Sequence, residues 1–279
     1  MTIYSHSRLS SFEQCPLKYK LKYIDKIKPE VEKTIESHLG NCAHCTLEWL
    51  YKIILEKAPT PSLEEVIEYY CKEWETQYTE DVLIVKKNLT QKDYFNKGVK
   101  FLIDYYQKHK PFVDGTLELE KKIMITLGEN GQYKLTGFID RLVYNKEKDE
   151  YEIHDYKTAN SLPSKEKVKN DRQLALYSIG IKDLFGKEKS MLLTWHYLAH
   201  DEQIFSRRTD SELEELKCKI MALIDKIEAT ENFPAKESML CHWCEFKPIC
   251  PNHGGVLPKS KEENERLKKE YPTISRYIK

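Results

Sequence analysis

Asp155 and Lys157 lie two residues apart in a segment that is predicted to be a β-strand, Tyr151–Thr158. Side chains two residues apart on a strand point to the same face, so this carboxylate and this ammonium are neighbours, with Cα atoms about 6.6 Å apart. Asp140 lies on the preceding predicted strand, Tyr133–Tyr144, and comes beside them if the two strands pair as a hairpin. Two carboxylates at strand ends offer the hard oxygen ligands that divalent cations prefer, and the adjacent lysine can hold a phosphate or a water.

The two strands and a following helix must position these side chains. Both strand segments are rich in aromatic and β-branched residues. An isolated Asp-x-Lys pair is a weak signal, because solvated strand faces carry such pairs routinely. Here apolar residues precede both aspartates, at Gly137–Ile139 and at Ile153, which favours carboxylates at buried strand ends. Gln173 and Tyr177 are four residues apart and share one face of the predicted helix Ser164–Leu184.

Taken in order, these motifs resemble the RecB-type branch of the PD-(D/E)XK nuclease superfamily. The motifs are Gly137-x-x-Asp140-Arg141, Asp155-Tyr-Lys157-Thr158 and Gln173-x-x-x-Tyr177. That branch also has a helical histidine before the strands, and Gly40-x-x-x-His44, on a predicted helix Ser37–Glu56, is similar to it. The resemblance extends from about Ser5 to Pro251. It implies an α/β fold with a PD-(D/E)XK restriction-endonuclease-like core, in which helices flank a mixed central sheet, together with a helical insertion and a C-terminal iron–sulfur region.

The same resemblance implies a metal-dependent DNA nuclease. The expected ligands of Mg²⁺ or Mn²⁺ are His44, Asp140, Asp155 and the backbone carbonyl of Tyr156. Lys157 is expected to orient the attacking water or to stabilise charge on the phosphate. Gln173 and Tyr177 are expected to position the substrate or the lysine. The expected activity is that of an exonuclease on single-stranded DNA ends, with helicase or CRISPR adaptation proteins as partners.

Glu120 lies on another predicted strand, Leu117–Leu127, that precedes a Gly-Glu-Asn-Gly turn signal. Many relatives carry an acidic residue at this place. Glu120 is therefore either an accessory metal ligand or a solvated strand glutamate.

The strongest local motif is Cys241-x-x-Cys244-x5-Cys250-Pro251. Thiolates at this spacing bind either Zn²⁺ or an iron–sulfur cluster, and a fourth ligand must come from elsewhere. The candidates for that ligand are Cys15, the Cys42 and Cys45 pair, Cys218 and His253. RecB-type nucleases with a 4Fe–4S cluster take one cysteine from an N-terminal Phe-x-x-Cys-Pro context, which Phe12-x-x-Cys15-Pro16 resembles. This implies that Cys15, Cys241, Cys244 and Cys250 hold a 4Fe–4S cluster, with a zinc site that uses His253 as the alternative.

The overall charge of the chain limits how it could bind nucleic acid. The 45 Lys and Arg residues balance the 45 Asp and Glu residues, which argues against binding nucleic acid over the whole surface but leaves room for a local basic path. Lys18 and Lys20 alternate with Tyr19 in the predicted helix Ser5–Lys28, where they either contact phosphates and bases or form a solvated helix face. Arg141 completes the predicted DNA contacts.

Further bounds come from cysteine content and hydropathy. No run of 18 or more apolar residues is present, which predicts no membrane span. The N-terminal sequence lacks a signal pattern, so a cytoplasmic location is expected. In that compartment the 8 cysteines indicate metal binding or buried thiols rather than disulfides. The expected domains are an N-terminal helix that supplies the first cluster cysteine (1–30), a helical region with the motif histidine (31–116), the nuclease core (117–232), and a Cys-rich cluster region and tail (233–279).

Two other classes of function remain as alternatives. The first is a catalytically inactive subunit with the nuclease fold that binds DNA or acts as a scaffold. Such copies usually lose an acidic residue or the lysine, whereas here every expected position is filled. The second is a zinc-binding interaction module, which requires the strand motifs to be coincidental.

Overall fold

The computed structural model describes residues 2–29 and 33–258. These residues form two compact units, of which the first contains residues 2–9 and 33–229 and the second contains residues 10–29 and 230–258. The last part of the predicted Cys-rich region and tail, residues 259–279, lies outside the described residues.

Six strands of the described residues form one mixed sheet in the first unit. They are β1 (Ile3–Tyr4), β2 (Thr116–Leu127), β3 (Tyr133–Asn145), β4 (Glu150–Lys157), β5 (Ser190–Tyr197) and β6 (Glu202–Ser206). The order is β1-β3-β4-β5-β6, and β2 pairs with β3. The β1–β3 and β4–β5 pairs are parallel and the other pairs are antiparallel.

The described helices are α1 (His6–Gln14), α2 (Pro16–Tyr19), α3 (Ile35–Leu55), α4 (Leu63–Gln77), α5 (Gln91–His109), α6 (Lys165–Lys169), α7 (Gln173–Phe185) and α8 (Asp210–Glu228). Capping boxes that begin at Ser62, Thr90 and Thr209 fix the starts of α4, α5 and α8. Apolar faces of α3, α4 and α5 pack into one cluster that includes Tyr156 of β4. This cluster covers the part of one sheet face that includes Tyr156 and Leu119.

The other face of the sheet packs against α7. Alternation along β2 buries Ile123, Ile125 and Leu127 and exposes Lys122 and Met124, as expected for a strand with one covered face. Ile123 and Ile125 lie against Gly180 of α7, where a side chain would crowd them. The expected fold class, a mixed sheet flanked by helices, is confirmed.

Two helices that the sequence predicts as continuous are interrupted. The predicted helix Ser5–Lys28 divides at Cys15, which is extended because Pro16 begins a new helix and disfavours a helical conformation at the preceding residue. The predicted helix Ser164–Leu184 divides between α6 and α7, where Asp171 accepts the backbone N–H of Gln173 at 3.0 Å. That interruption makes Gln173 the first residue of α7.

The described part of the second unit has a small apolar core of Leu17, Leu21 and Phe246. None of the helices within residues 2–29 and 33–258 has the length and apolar character needed to cross a bilayer.

Candidate functional site

The candidate site lies where β3 and β4 separate. Their pairing ends at Arg141 and His154, whereas β4 continues to pair with β5 as far as Lys157. The Tyr156 N–H, which is not part of the β3–β4 ladder, donates to the Asp140 side chain at Oδ2, at 3.0 Å. The separation of the two strands thus places polar backbone and a carboxylate in one gap.

His44 of α3 reaches this gap from the side of the α3–α5 cluster. Its Nε2 lies 2.7 Å from the Tyr156 carbonyl oxygen, and its Nδ1 lies 3.3 Å from Asp140 Oδ2. Glu120 of β2 completes the group, since one ligand atom each from His44, Glu120 and Asp140 lie within 4.8 Å of one another. Two carboxylates and an imidazole at this separation can hold one divalent cation.

Glu120 has two properties that distinguish it from a solvated strand residue. Its φ of 44° lies in the left-handed region, which is uncommon for a residue with a side chain. Its pKa is raised to about 7 by burial and by the nearby charges of Asp140 and Glu48. The raised pKa indicates that carboxylates are held close together in a partly buried place, and a bound cation would relieve that repulsion.

A second cluster, of Asp155, Lys157 and Gln173, lies on the α7 side of β4. Lys157 Nζ is 2.7 Å from Asp155 Oδ2. Gln173 binds both partners, because its Nε2 donates to Asp155 Oδ1 at 2.9 Å and its Oε1 accepts from Lys157 Nζ at 2.9 Å. Asp155 Oδ2 makes the ion pair without a well-directed hydrogen bond, so this buried oxygen keeps capacity for a further ligand.

Burial and charge act on this pair in opposite directions. Burial raises the pKa of Asp155, with Lys157 opposing the shift and Asp140 adding to it. Burial lowers the pKa of Lys157, but the charge and hydrogen bond of Asp155 outweigh burial and the net pKa is raised. The lysine is therefore protonated at neutral pH, as an electrostatic role requires.

Asp171 belongs to the same surroundings and was not among the predicted site residues. Burial raises its pKa, while the Lys157 ammonium acts to lower it. The available signal was only an acidic residue two positions before Gln173, within the predicted helix Ser164–Leu184. In the structure α7 begins at Gln173, and Asp171 accepts the backbone N–H of that residue.

Tyr177 is buried and packs against β3 at Gly137. A Cβ at Gly137 would lie 2.2 Å from the Tyr177 ring, so only glycine permits this approach. The Tyr177 hydroxyl hydrogen bonds with Gln173, one turn earlier on α7. Tyr177 therefore fixes α7 against β3 and supports Gln173.

A groove of about 490 Å³ leads along α3 to the candidate metal ligands. The α3 residues that line it recur at helical spacing and are Glu36, Ser37, Gly40, Asn41, His44, Cys45 and Glu48. Asp140, Glu120 and Thr158 line it from the sheet. The titratable groups that line the groove are four carboxylates, the His44 imidazole and the Cys45 thiol. Because the carboxylates repel a phosphate, a bound cation would be needed to attract one.

Arg141 does not lie on the surface, which corrects its assignment as a DNA contact. It is 1% exposed. Its guanidinium donates to Tyr156 Oη at 3.0 Å and to Thr116 Oγ1 at 3.1 Å, pairs with Asp114, and lies 2.9 Å from His154 Nδ1. A guanidinium held on every side in this way supports β4 from within and cannot reach a phosphate outside.

Comparison with known proteins gives a match of residues 3–251 to the family model of the PD-(D/E)XK nuclease superfamily. The chain belongs to this superfamily. A solved structure of a provisionally assigned exonuclease from Eubacterium rectale has 13% identity and a TM-score of 0.50, and covers 98% of this chain and 94% of that chain. At this identity the likeness shows the fold alone. A structure of the protein SSO0001 has 15% identity and a TM-score of 0.38 over 88% of this chain and 95% of that chain. No curated protein matches the sequence.

PD-(D/E)XK nucleases use divalent metal ions, and the gap between β3 and β4 fits one. His44, Glu120 and Asp140 supply a compact ligand group. The Tyr156 carbonyl touches the same imidazole, and Asp155 has an oxygen without a directed hydrogen bond. The donor set is dominated by oxygen, as Mg²⁺ and Mn²⁺ require.

One cavity of the second unit is lined by the predicted metal ligands Cys15, Cys241, Cys244, Cys250 and His253. Backbone N–H groups point at the sulfurs: Lys236 N–H donates to Cys15 Sγ and Ser238 N–H to Cys241 Sγ, each at 3.4 Å. Such bonds stabilise thiolates that serve as ligands. The other cysteines considered, Cys42, Cys45 and Cys218, belong to α3 and α8 of the first unit.

The predicted DNA contacts at residues 18–20 are divided between surface and core. Tyr19 is 2% exposed and stacks on Phe233, so it cannot stack on a base, and its assignment as a DNA contact is corrected. Lys18 pairs with Glu245 at 2.8 Å, and Lys20 pairs with Asp25 at 2.6 Å. The lysines keep partly exposed side chains and remain predicted contacts.

Proposed function

We propose that this protein is a metal-dependent DNA nuclease that hydrolyses phosphodiester bonds, acting as an exonuclease on single-stranded ends. One observation carries the proposal: the Tyr156 backbone joins the His44–Glu120–Asp140 group to the strand that carries Asp155 and Lys157. An inactive scaffold has no need to keep a lysine, two carboxylates and an imidazole at one strand separation.

The ligands of Mg²⁺ or Mn²⁺ in this proposal are His44, Asp140, Asp155 and the Tyr156 carbonyl, with Glu120 as a further ligand. When bound, such a cation polarises a phosphoryl oxygen and lowers the pKa of its water. The Tyr156 N–H orients Asp140 through the 3.0 Å bond to Oδ2. Asp140 is thereby held toward the gap before any substrate arrives.

Lys157 supplies positive charge beside the reacting phosphate. Its raised pKa keeps it an ammonium at neutral pH, so it stabilises charge that develops on the phosphate or orients the attacking water. Gln173 accepts a hydrogen bond from Lys157 Nζ at 2.9 Å and donates one to Asp155 Oδ1 at 2.9 Å, so it fixes both side chains. Tyr177 supports Gln173 from the same helix.

Preference for single-stranded ends rests on likeness. The motifs are those of RecB-type nucleases, and the Eubacterium rectale protein is itself provisionally assigned as an exonuclease. The same likeness extends the proposal to CRISPR-associated or helicase–nuclease assemblies, with helicase or adaptation proteins as partners in the cytoplasm.

A 4Fe–4S cluster on Cys15, Cys241, Cys244 and Cys250 is the second part of the proposal. All four cysteines line one cavity, as the ligands of one metal centre must. His253 lines the same cavity, and a zinc site that uses it is the alternative. The role of the cluster is to shape the DNA-binding region.

The nuclease proposal is tested by digesting end-labelled single- and double-stranded DNA with Mg²⁺, Mn²⁺ or EDTA. Asp155→Ala and Lys157→Ala are expected to abolish metal-dependent cleavage while circular dichroism stays unchanged. Asp183→Ala and Lys187→Ala, exposed at the far end of α7 and beyond it, are the matched controls and are expected to cleave normally. Undiminished cleavage by either site variant removes the assignment, and DNA binding without cleavage by the unaltered chain supports the inactive subunit instead.

The metal centre of the second unit is tested separately. Protein purified without oxygen is expected to contain iron and acid-labile sulfide and to show a broad brown absorbance, which Cys241→Ser loses. Stoichiometric zinc without iron would establish the zinc alternative with His253.

A further inference from the structure

Phe138 is an aromatic residue left open to solvent beside the candidate site. It lies on β3, two positions before Asp140, and is 50% exposed. Its neighbours Gly137 and Ile139 face the other side of the sheet, where Gly137 meets Tyr177 and Ile139 is buried. Strand alternation therefore places Phe138 on the α3 side of the sheet, the side from which His44 reaches Asp140.

The residues around Phe138 form a ladder of cross-strand pairs. Lys122 lies opposite Phe138, Met124 opposite Thr136, and Thr126 opposite Lys134. Paired residues of antiparallel strands share a face. Lys122, Met124 and Lys134 are exposed, and Met124 is 49% exposed.

The ladder changes character with distance from the site. Its rung at the site is acidic, with Glu120 and Asp140. The next rung offers an aromatic ring and an ammonium, and Lys134 ends the ladder about 20 Å from Asp140. Cationic and aromatic groups that begin one strand step from a hydrolytic centre match the alternating phosphates and bases of a nucleic-acid strand.

We propose that Phe138 and Lys122 form a subsite for one nucleotide of single-stranded DNA, next to the nucleotide whose phosphate is cleaved. Phe138 stacks on the base and Lys122 pairs with its phosphate. Stacking on an exposed ring requires an unpaired base, so the subsite discriminates against duplex DNA. The inference rests on the proposed nuclease function and deepens it by naming what selects the strand.

Lys157→Ala protein with Mg²⁺ tests the subsite without cleavage. Its affinity for a fluorescein-labelled 12-nucleotide oligonucleotide is measured with a single abasic site moved along the terminal positions. One position is expected to lose affinity roughly tenfold when its base is missing, the usual size of one base–aromatic stack. Adding Phe138→Ala is expected to lose the same factor on intact DNA and to become indifferent to the abasic position. Phe138→Trp is expected to restore the dependence.

Phe205→Ala is the matched control, because Phe205 is also a strand phenylalanine, 53% exposed, on β6. It is expected to bind as the parent does. Adding Lys122→Ala should reduce the slope of log affinity against log salt by about 0.7, the value for one phosphate contact on a single strand. Equal affinity of the parent and the Phe138→Ala protein for every oligonucleotide overturns the subsite, as does the absence of any binding to single strands.

The two proposals fail separately. Metal-dependent cleavage by the unaltered chain together with no effect of Phe138→Ala removes the subsite and leaves the nuclease. A position-specific effect of Phe138→Ala on binding, with no cleavage under any metal, supports the subsite and removes the hydrolase.

Discussion

Tyr156 contacts the candidate site through its backbone and the buried Arg141 through its side chain. Its backbone N–H and carbonyl face Asp140 and His44 at the candidate site. Its ring points the other way, where the hydroxyl accepts from Arg141 Nε at 3.0 Å and lies 3.3 Å from the Tyr105 hydroxyl. The buried guanidinium therefore fixes, through the ring, the backbone that completes the site.

Tyr156→Phe is expected to destabilise the fold, because it leaves a buried guanidinium donor without its partner. Such a loss costs about 1–3 kcal/mol, to be measured by urea unfolding. Tyr144→Phe removes an exposed hydroxyl that donates to Asp149 at 2.6 Å and is expected to change stability much less. Equal effects of the two substitutions would contradict the role assigned to Arg141.

Glu120→Gln tests the crowding of carboxylates in the absence of metal. The pKa of Glu120 is raised from its usual 4.5 to about 7, first by burial, so between these values the folded chain binds a proton that the unfolded chain has lost. Stability is therefore lost as pH rises through this window. In EDTA at pH 8 the variant is expected to be more stable than the parent by on the order of 1 kcal/mol, a figure reduced for solvent screening.

At pH 4 that advantage should vanish, since the parent carboxyl is then protonated in both states. Urea unfolding at the two pH values measures the difference. Glu129→Gln, in the exposed β2–β3 turn, is the control, and as a surface substitution it should change stability little at either pH. A variant less stable than the parent in EDTA at pH 8 would rule out repulsion at Glu120.

At the scale of elements, the site depends on how closely α7 approaches β3. Gly137→Ala would place a Cβ 2.2 Å from the Tyr177 ring, and overpacking of this kind costs about 1–3 kcal/mol. Nuclease activity should fall with stability, because Gln173 moves with α7. Gly180→Ala meets Ile125 only at 3.0 Å and is the milder matched change.

Adding Tyr177→Leu to Gly137→Ala should restore part of the stability, because the two sites are in contact and their effects are not additive. The measurement is urea unfolding of the two single variants and the double variant. Additive losses would show that the ring and the glycine do not constrain each other.

The elements themselves follow from local patterns. Alternation and turn residues predict β3 and β4 almost to the residue, and apolar periodicity predicts α3 at 37–56 against the observed Ile35–Leu55. The divisions at Cys15 and Asp171 were missed, because periodicity continues across both. The burial of Arg141 and Tyr19 was missed for another reason: a charged or aromatic residue in a motif has the same sequence signature whether it faces solvent or core.

The separation of β3 from β4 is likewise not readable from sequence. Pairing could have continued from Arg141–His154 to Asp140–Asp155 without any change in the strand pattern. What ends it is tertiary, since α3 inserts His44 at this point and Asp140 takes the Tyr156 N–H. Sequence therefore predicts which polar residues occur near the strand ends, whereas packing decides which of them lie close enough to share an ion.

At the scale of the whole molecule, the two units differ in how they are stabilised. The first buries an extensive core on both faces of its sheet. The described part of the second joins two distant segments around Leu17, Leu21 and Phe246. A core this small rarely holds such segments together without a disulfide, a structural metal or a similar cross-link. The cavity lined by the four cysteines lies within this unit and could hold such a metal.

Cys244→Ser is therefore expected to weaken the second unit as well as to remove the proposed metal centre. Cys244 packs against the Leu17–Leu21–Phe246 core, and because metal binding free energy is folding free energy in such sites, its loss should open that core. Hydrogen exchange is expected to accelerate at least tenfold in peptides from 10–29 and 233–258. Cys71→Ser, a thiol of α4 in the first unit, is the control and should leave these peptides protected. If the Cys244→Ser protein lost its metal but kept the exchange pattern of the parent, the apolar core alone would hold the second unit together. A stabilising role for the metal would then be wrong.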